Sequence, residues 1–290
     1  MGDDLQSWLV AVVNDFVRDS PENRFSGGFD EKAFEDVLVG FASGSDPIFE
    51  SYKELVGEDH WTPAEIFGIT YPESAVKPEQ LTVISWILPQ REATKADNRQ
   101  ETTYPGPRWV QARFAGEDFN DALRNHVVTT LAAKGIKAVA PVKTPGFAWH
   151  KSEKYLWSST WSERHMAYAA GLGTFGLCDG LITPKGKAHR AGSVVAGAVL
   201  PPSPRPYTDH HAYCLFYQDG SCRQCADRCP VGAISEHGHD KSACWDHTCE
   251  TCKDFIEKHY GFKGYGCGLC QTDVPCESGI PGKVRGMEIT

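Results

Sequence analysis

The alternation of apolar and polar residues predicts the first elements of the chain. Residues 4–19 carry apolar side chains at i, i+3, i+4 and i+7 spacing, which predicts an amphipathic helix. Residues 81–88 are β-branched and apolar on both faces, and Pro89 follows them. That pattern predicts a strand that is buried on both sides.

Weaker signals predict the remaining elements of the first part of the chain. Helices are expected at 47–56, near 62–65, at 119–133 and at 162–170, and strands within 33–42 and at 136–140, 177–183 and 191–200. Residues 90–107 and 143–160 are predicted loops, and Gly27 and Gly28 a turn. Strands that alternate with helices predict an α/β or α+β fold. The proline-rich stretch 201–206 predicts a boundary between domains 1–205 and 206–290.

Charge and hydropathy narrow the partners and the compartment. The 290 residues carry a net charge of -9, which gives no electrostatic reason to expect nucleic acid or an anionic membrane as partner. The sequence contains no run of 18 apolar residues, so no membrane span is predicted. The start of the chain is acidic where a signal peptide is basic, so a cytoplasmic protein is predicted.

The cysteines are crowded at one end of the chain. Of the 11 cysteines, 10 follow residue 213, a distribution that indicates metal binding rather than a disulfide framework. The first cysteine run (214–230) contains Cys222-x2-Cys225-x3-Cys229-Pro230, which is close to the ferredoxin pattern for a pair of [4Fe-4S] clusters. The second cysteine run (265–276) repeats a Cys-x2-Cys pair.

In the ferredoxin pattern, the last cysteine of a run ligates the other cluster, so the predicted assignment crosses over. One cluster takes Cys214, Cys222, Cys225 and Cys276, and the other takes Cys229, Cys244, Cys267 and Cys270. The spacing does not separate Cys244 from Cys249 and Cys252 as the eighth ligand. Structural zinc and a single cluster with spare thiols are the alternatives. Cys178, on a predicted strand, is expected to be a buried core thiol.

A glycine string and a short polar segment are further candidates. Gly171-x-Gly173-x-x-Gly176 matches a dinucleotide fingerprint but follows a helix instead of a strand, so nucleotide binding is not predicted. A sharp turn and close approach to a flat cofactor explain the string equally well. Glu163 and His165 are candidate catalytic residues, with His165 as a possible proton donor, against a solvated carboxylate and a packed imidazole as the alternatives.

These residues carry a resemblance to a known family. The segment Ser162-Glu-Arg-His-Met-Ala-Tyr-Ala-Ala-Gly-Leu-Gly-Thr-Phe-Gly, then Gly180-Leu-Ile-Thr-Pro184, then both cysteine runs, resembles the epoxyqueuosine reductases and the reductive dehalogenases over about residues 157–276. The resemblance implies a nitroreductase-like, cobalamin-binding domain joined to a bacterial-type ferredoxin domain with two [4Fe-4S] clusters. It places Ala170, Gly171, Leu172 and Gly173 against the corrin.

The chain also departs from that family. Trp157 stands where the resemblance implies an acidic proton donor, Cys214 is displaced from the position of Asp219, and Pro275-Cys276 replaces Cys-Pro. The predicted function is an iron–sulfur reductase that passes electrons from a donor such as ferredoxin or flavodoxin, through two clusters and a cobamide, to an unidentified small-molecule or protein substrate. The alternatives are an electron-transfer protein that reduces a partner, such as a corrinoid protein, and a zinc-stabilised binding protein.

Overall fold

The computed structural model describes residues 2–26, 29–154 and 156–282, so the predicted turn at Gly27 and Gly28 lies outside it. The helices are α1 Gly2–Asp19, α2 Ile48–Leu55, α3 Pro63–Thr70, α4 Glu92–Arg99, α5 Pro107–Ala132, α6 Glu163–Ala169, α7 Leu215–Asp219, α8 Gln224–Asp227, α9 Lys241–Trp245 and α10 Cys252–Tyr260. The strands are β1 Leu38–Ser43, β2 Thr82–Pro89, β3 Ala138–Val139, β4 Trp149–Ser152, β5 Leu156–Ser159, β6 Thr174–Phe175, β7 Leu181–Ile182, β8 His189–Ala196, β9 Ile234–Ser235 and β10 Gly238–His239.

The central sheet is built on β2, the strand with the clearest apolar signal. Its order is β1-β2-β8-β3 with antiparallel pairing throughout. Because strand side chains alternate, Ile84 and Trp86 pack with α1 and α5 on one face. Val83 and Ile87 pack with α2, α3 and α6 on the other. The sheet is therefore covered by helices on both faces, and the predicted mixed fold is confirmed.

Two predicted loops are wrong. Residues 90–107 contain α4, which buries Thr94 and Asn98, so its inward face has no apolar periodicity to find. The helix predicted from Phe119 begins at Pro107, because a proline is well tolerated at the first helical position. The second loop, 143–160, contains the hairpin of β4 and β5.

Several predicted strands are shorter than expected. Within 177–183 only Leu181–Ile182 forms a strand, and the strand expected at 191–200 is His189–Ala196. The strand at 136–140 shrinks to Ala138–Val139. Turn residues in the glycine-rich sequence around 176–186 take up the rest, with Gly186 in a left-handed conformation at a φ of +85°.

The segment from α4 to the start of α5 packs against the cysteine-rich region. Asn98 Nδ2 donates to Thr272 Oγ1 at 3.0 Å, and the Tyr104 ring stacks on Phe255 with centroids 3.8 Å apart. Residues 92–107 thus form one wall of the region that carries ten cysteines. Among the residues the structure describes, no helix is both long and apolar enough to cross a membrane. The boundary at 205/206 stays a prediction.

Candidate metal centre

Four cysteines from both runs line one cavity. Cys214, Cys222, Cys225 and Cys276 surround it, and we call these four residues the first centre. Cys214 lies at the start of α7, and Cys225 lies in α8. Between them, Gly220 ends α7 in a left-handed conformation with a φ of +70°, which turns the chain back toward the cavity. The local fold therefore collects the four thiols that the spacing predicts for one cluster.

Apolar side chains enclose this cavity. Leu177, Ile182 and Val274 line it, and each is 8% exposed or less. Cys276 is fixed by its backbone, since its carbonyl accepts a hydrogen bond from the Lys187 amide at 2.9 Å. Burial raises the pKa of the Cys276 thiol to about 11, with thiolate neighbours adding to the rise and Lys187 opposing it. The Cys276 thiol is therefore protonated at neutral pH.

Cys178 also reaches this site. It is 6% exposed, as a core thiol should be, and it packs in the same buried cluster as Cys214 and Cys225. Hydrogen bonds from the thiols of Cys225 and Cys270 lower its pKa well below the usual value. Cys178 therefore lies between a cysteine of the first centre and one of the second run.

Cys252, and not the predicted Cys244, is in contact with Cys267. Cys252 is fully buried and hydrogen-bonds with Cys267, while its Sγ lies 3.4 Å from His247 Nε2. The contact with Cys252 and burial raise the pKa of Cys267. Cys244, the predicted eighth ligand, instead lies 3.8 Å from Thr248 Oγ1 and beside His239. The geometry favours Cys252 as the partner of Cys267.

A backbone amide already points at one predicted ligand. Ala233 N–H donates to Cys229 Sγ at 3.2 Å. Such amide–sulfur bonds are a common way in which proteins tune iron–sulfur clusters. The four thiols and apolar walls of the first centre, and the amide donor at Cys229, fit iron–sulfur clusters.

Glu163 forms a buried ion pair with Arg124. Its Oε1 lies 3.0 Å from Arg124 Nη2, and Ser193 donates to Oε2. Burial raises the pKa of Glu163, and the Arg124 guanidinium opposes that rise. Arg124 is 2% exposed and also pairs with Glu117 and Asp121, so the group ties α5 to α6 and β8. The proposed catalytic role of Glu163 stays a prediction.

His165 lies on the same helix in an aromatic environment. Its Nδ1 is 2.7 Å from Ser162 Oγ, and the rings of Tyr52 and Phe175 are 4.9 Å and 4.8 Å away. Burial lowers its pKa well below the usual value, so the imidazole is neutral at neutral pH. A role for His165 as proton donor also stays a prediction.

The glycine string is explained by close packing of the chain on itself. A Cβ at Gly171, where φ is +77°, would lie 2.2 Å from the Pro204 carbonyl oxygen, and one at Gly173 would lie 2.3 Å from that of Ile182. Ala170 is fully buried, and a Cβ at Gly40 would approach its carbonyl oxygen to 2.5 Å. Neighbouring backbone therefore fills the Cβ directions of Gly171 and Gly173, and the corrin contact of this segment stays a prediction.

Trp157 replaces the acidic residue that the resemblance implies. It stacks on Trp245, with ring centroids 4.4 Å apart and an angle of 28° between the planes. The stack joins β5 to α9, so this position links the hairpin to the cysteine-rich region. An indole cannot serve as the expected acid.

His60 makes stability depend on pH. It is fully buried, and burial lowers its pKa to about 4, whereas the unfolded chain titrates near its usual value of 6.5. The unfolded state therefore binds the extra proton between these values, and stability falls as pH drops from 6.5 toward 4. We expect His60 to contribute a loss of about 2 kcal/mol between pH 7 and pH 5.

Urea unfolding at the two pH values tests this expectation. His60→Gln should show a smaller loss between pH 7 and pH 5 than the unaltered protein. His237→Gln is the matched control, because His237 is exposed. An unchanged pH slope in His60→Gln would contradict the assignment.

The chain is similar to known proteins over part of its sequence and in its fold. No protein-family model matches the chain. The curated epoxyqueuosine reductases of Bacillus anthracis and Bacillus cereus are 33% and 32% identical over 125 residues, which is 41% of this chain and 30% of each relative. The chain resembles epoxyqueuosine reductase. The resemblance predicted from the sequence is thereby confirmed, over less than a third of each relative's length.

Solved structures extend the likeness to the fold. A selenomethionine-labelled epoxyqueuosine reductase matches 97% of this chain and 68% of its own length, with a TM-score of 0.53 and 16% identity. The catabolic reductive dehalogenase NpRdhA matches 97% of this chain and 37% of its own length, with a TM-score of 0.51 and 13% identity. At these identities the matches establish a shared fold and nothing about activity.

Proposed function

We propose that this chain is an iron–sulfur reductase that carries low-potential electrons through two [4Fe-4S] clusters. The observation that supports it most is the single cavity lined by Cys214, Cys222, Cys225 and Cys276, which come from both cysteine runs. Such crossing of ligands between runs is the arrangement of two-cluster ferredoxins. The similarity to epoxyqueuosine reductases points to the same chemistry.

We assign the first cluster to those four cysteines. The second cluster is assigned to Cys229, Cys252, Cys267 and Cys270, with Cys252 in place of the predicted Cys244 because it alone of the two is in contact with Cys267. Such clusters supply one-electron transfer. The assigned cysteines would hold the clusters, and Leu177, Ile182 and Val274 would keep water away from the first of them. A ferredoxin-like domain over 206–290 and a nitroreductase-like domain over 1–205 remain part of this proposal.

A cobamide is the acceptor that the resemblance implies. The segment predicted to face it, Ala170 to Gly173, is covered by Gly40, Ile182 and Pro204, so we derive no step through a cobamide there. This packing favours the second candidate function, an electron-transfer protein that reduces a partner without its own cobamide. Ferredoxin or flavodoxin is the donor class in either case, and the net charge of -9 argues against nucleic acid as substrate.

Metal analysis of protein purified without oxygen tests the proposal. We expect about eight iron and eight sulfide per chain and little zinc, since each [4Fe-4S] cluster holds four of each. Cys225→Ala should contain about half of that iron. Stoichiometric zinc without sulfide would overturn the proposal in favour of a zinc-stabilised binding protein. Saturable binding of oxidised or reduced cobalamin would favour the cobamide-dependent reductase over the electron-transfer protein.

A further inference from the structure

A buried lysine faces the first centre. Lys187 is 2% exposed and lines the same cavity as Cys214, Cys222, Cys225 and Cys276. Its Nζ lies 3.2 Å from Cys178 Sγ. Lysine is almost never this deeply buried without a partner, because an ammonium loses its hydration there.

The partners of this ammonium are sulfur atoms. Among the residues that the structure describes, no carboxylate forms an ion pair with Lys187. Besides Tyr213, the polar side chains that line the cavity with Lys187 are cysteine thiols.

The backbone holds the lysine in this place. Gly186 is left-handed, and a Cβ there would lie 2.0 Å from the Glu277 carbonyl oxygen. The amides of Lys187 and Ala188 donate to the carbonyls of Cys276 and Glu277 at 2.9 Å and 3.2 Å. The segment that carries the ammonium is therefore hydrogen-bonded through its backbone to Cys276, the last cysteine of the first centre.

We propose that Lys187 is a fixed counter-charge for the cluster at the first centre and raises its reduction potential. This inference rests on the proposed function. A cluster held by four thiolates is negatively charged, and the electron that it accepts on reduction makes it more so, without any bond being formed or broken. A desolvated cation beside the ligands stabilises the reduced form more than the oxidised form, because electrostatic interactions are strong away from water.

The test compares Lys187→Met and Lys187→Gln with Lys187→Arg. Each protein is reduced with dithionite in a redox titration followed by electron paramagnetic resonance, with iron measured on the same sample. At the midpoint potential of the unaltered first cluster, we expect the ratio of reduced to oxidised cluster to fall about tenfold in both neutral variants, which corresponds to about 59 mV for one electron. Lys187→Arg should keep the ratio within about threefold, and the second cluster serves as internal reference.

The outcomes separate the inference from the function on which it rests. A neutral variant that keeps its iron and its ratio overturns the counter-charge role, as does an equal fall in Lys187→Arg. If both neutral variants lose the first cluster while Lys187→Arg keeps it, the positive charge is needed to hold the cluster, and the role is supported. If the unaltered protein lacks iron and sulfide, the proposed function fails before Lys187 is tested.

Discussion

Replacing Cys252 with alanine is expected to remove one cluster, whereas replacing Cys244 should leave both in place. Cys252 is fully buried and in contact with Cys267, while Cys244 lies against Thr248 and His239. A cluster that loses one of its four thiolates is poorly held, so iron should fall from about eight to about four atoms per chain. Iron and sulfide analysis of both variants measures this.

Cys249→Ala is the control for the cysteines between the two runs. Cys249 is partly buried, and we assign it no cluster. It should therefore retain the iron content of the unaltered protein. If Cys244→Ala loses half of the iron and Cys252→Ala does not, the eighth ligand returns to Cys244, as the sequence alone suggested.

Gly186→Ala is expected to destabilise the protein by about 3 kcal/mol or more, since it combines a left-handed backbone with a backbone clash. The new Cβ would lie 2.0 Å from the Glu277 carbonyl oxygen. Neither backbone segment can move away without breaking the hydrogen bonds that the Lys187 and Ala188 amides donate. Cys276 should be displaced with it. The free energy of unfolding, measured in urea, and the iron content should fall together.

Gly282→Ala is the matched control, because a Cβ at Gly282 meets nothing within 4 Å. We expect its stability to lie within about 0.5 kcal/mol of the unaltered protein, as for most surface substitutions. Equal stability of the two variants would show that the contact between residues 186–188 and 276–277 is not formed in solution.

Periodicity predicted the elements that bury apolar faces. Helix α1 and strand β2 were found because their hydrophobic residues follow helical spacing and a continuous apolar run. Helix α4 was missed because its buried positions are the polar residues Thr94 and Asn98, and the Asn98 amide donates to Thr272, which is far away in the chain. Patterns of hydrophobicity cannot report a helix that is held by hydrogen bonds.

The candidate site was likewise predicted only in part from the sequence. Cysteine spacing predicted the four thiols around the first cavity, because one loop and one helix turn decide most of that geometry. Lys187 and the position of Cys178 between Cys225 and Cys270 depend on tertiary contacts, and Lys187 sits in a turn sequence without any motif. The choice between Cys244 and Cys252 likewise required the path of the chain through 246–251.

The wall that Leu177, Ile182 and Lys187 provide has a consequence for protein engineering. A fragment cut at the proline-rich stretch 201–206 would carry all ten clustered cysteines yet leave behind part of the lining of its own cavity. Transplanted into another reductase as an electron-carrying cassette, it would expose sulfur to solvent and oxygen. A transferable unit needs residues 174–188 as well, supplied in trans or joined by circular permutation.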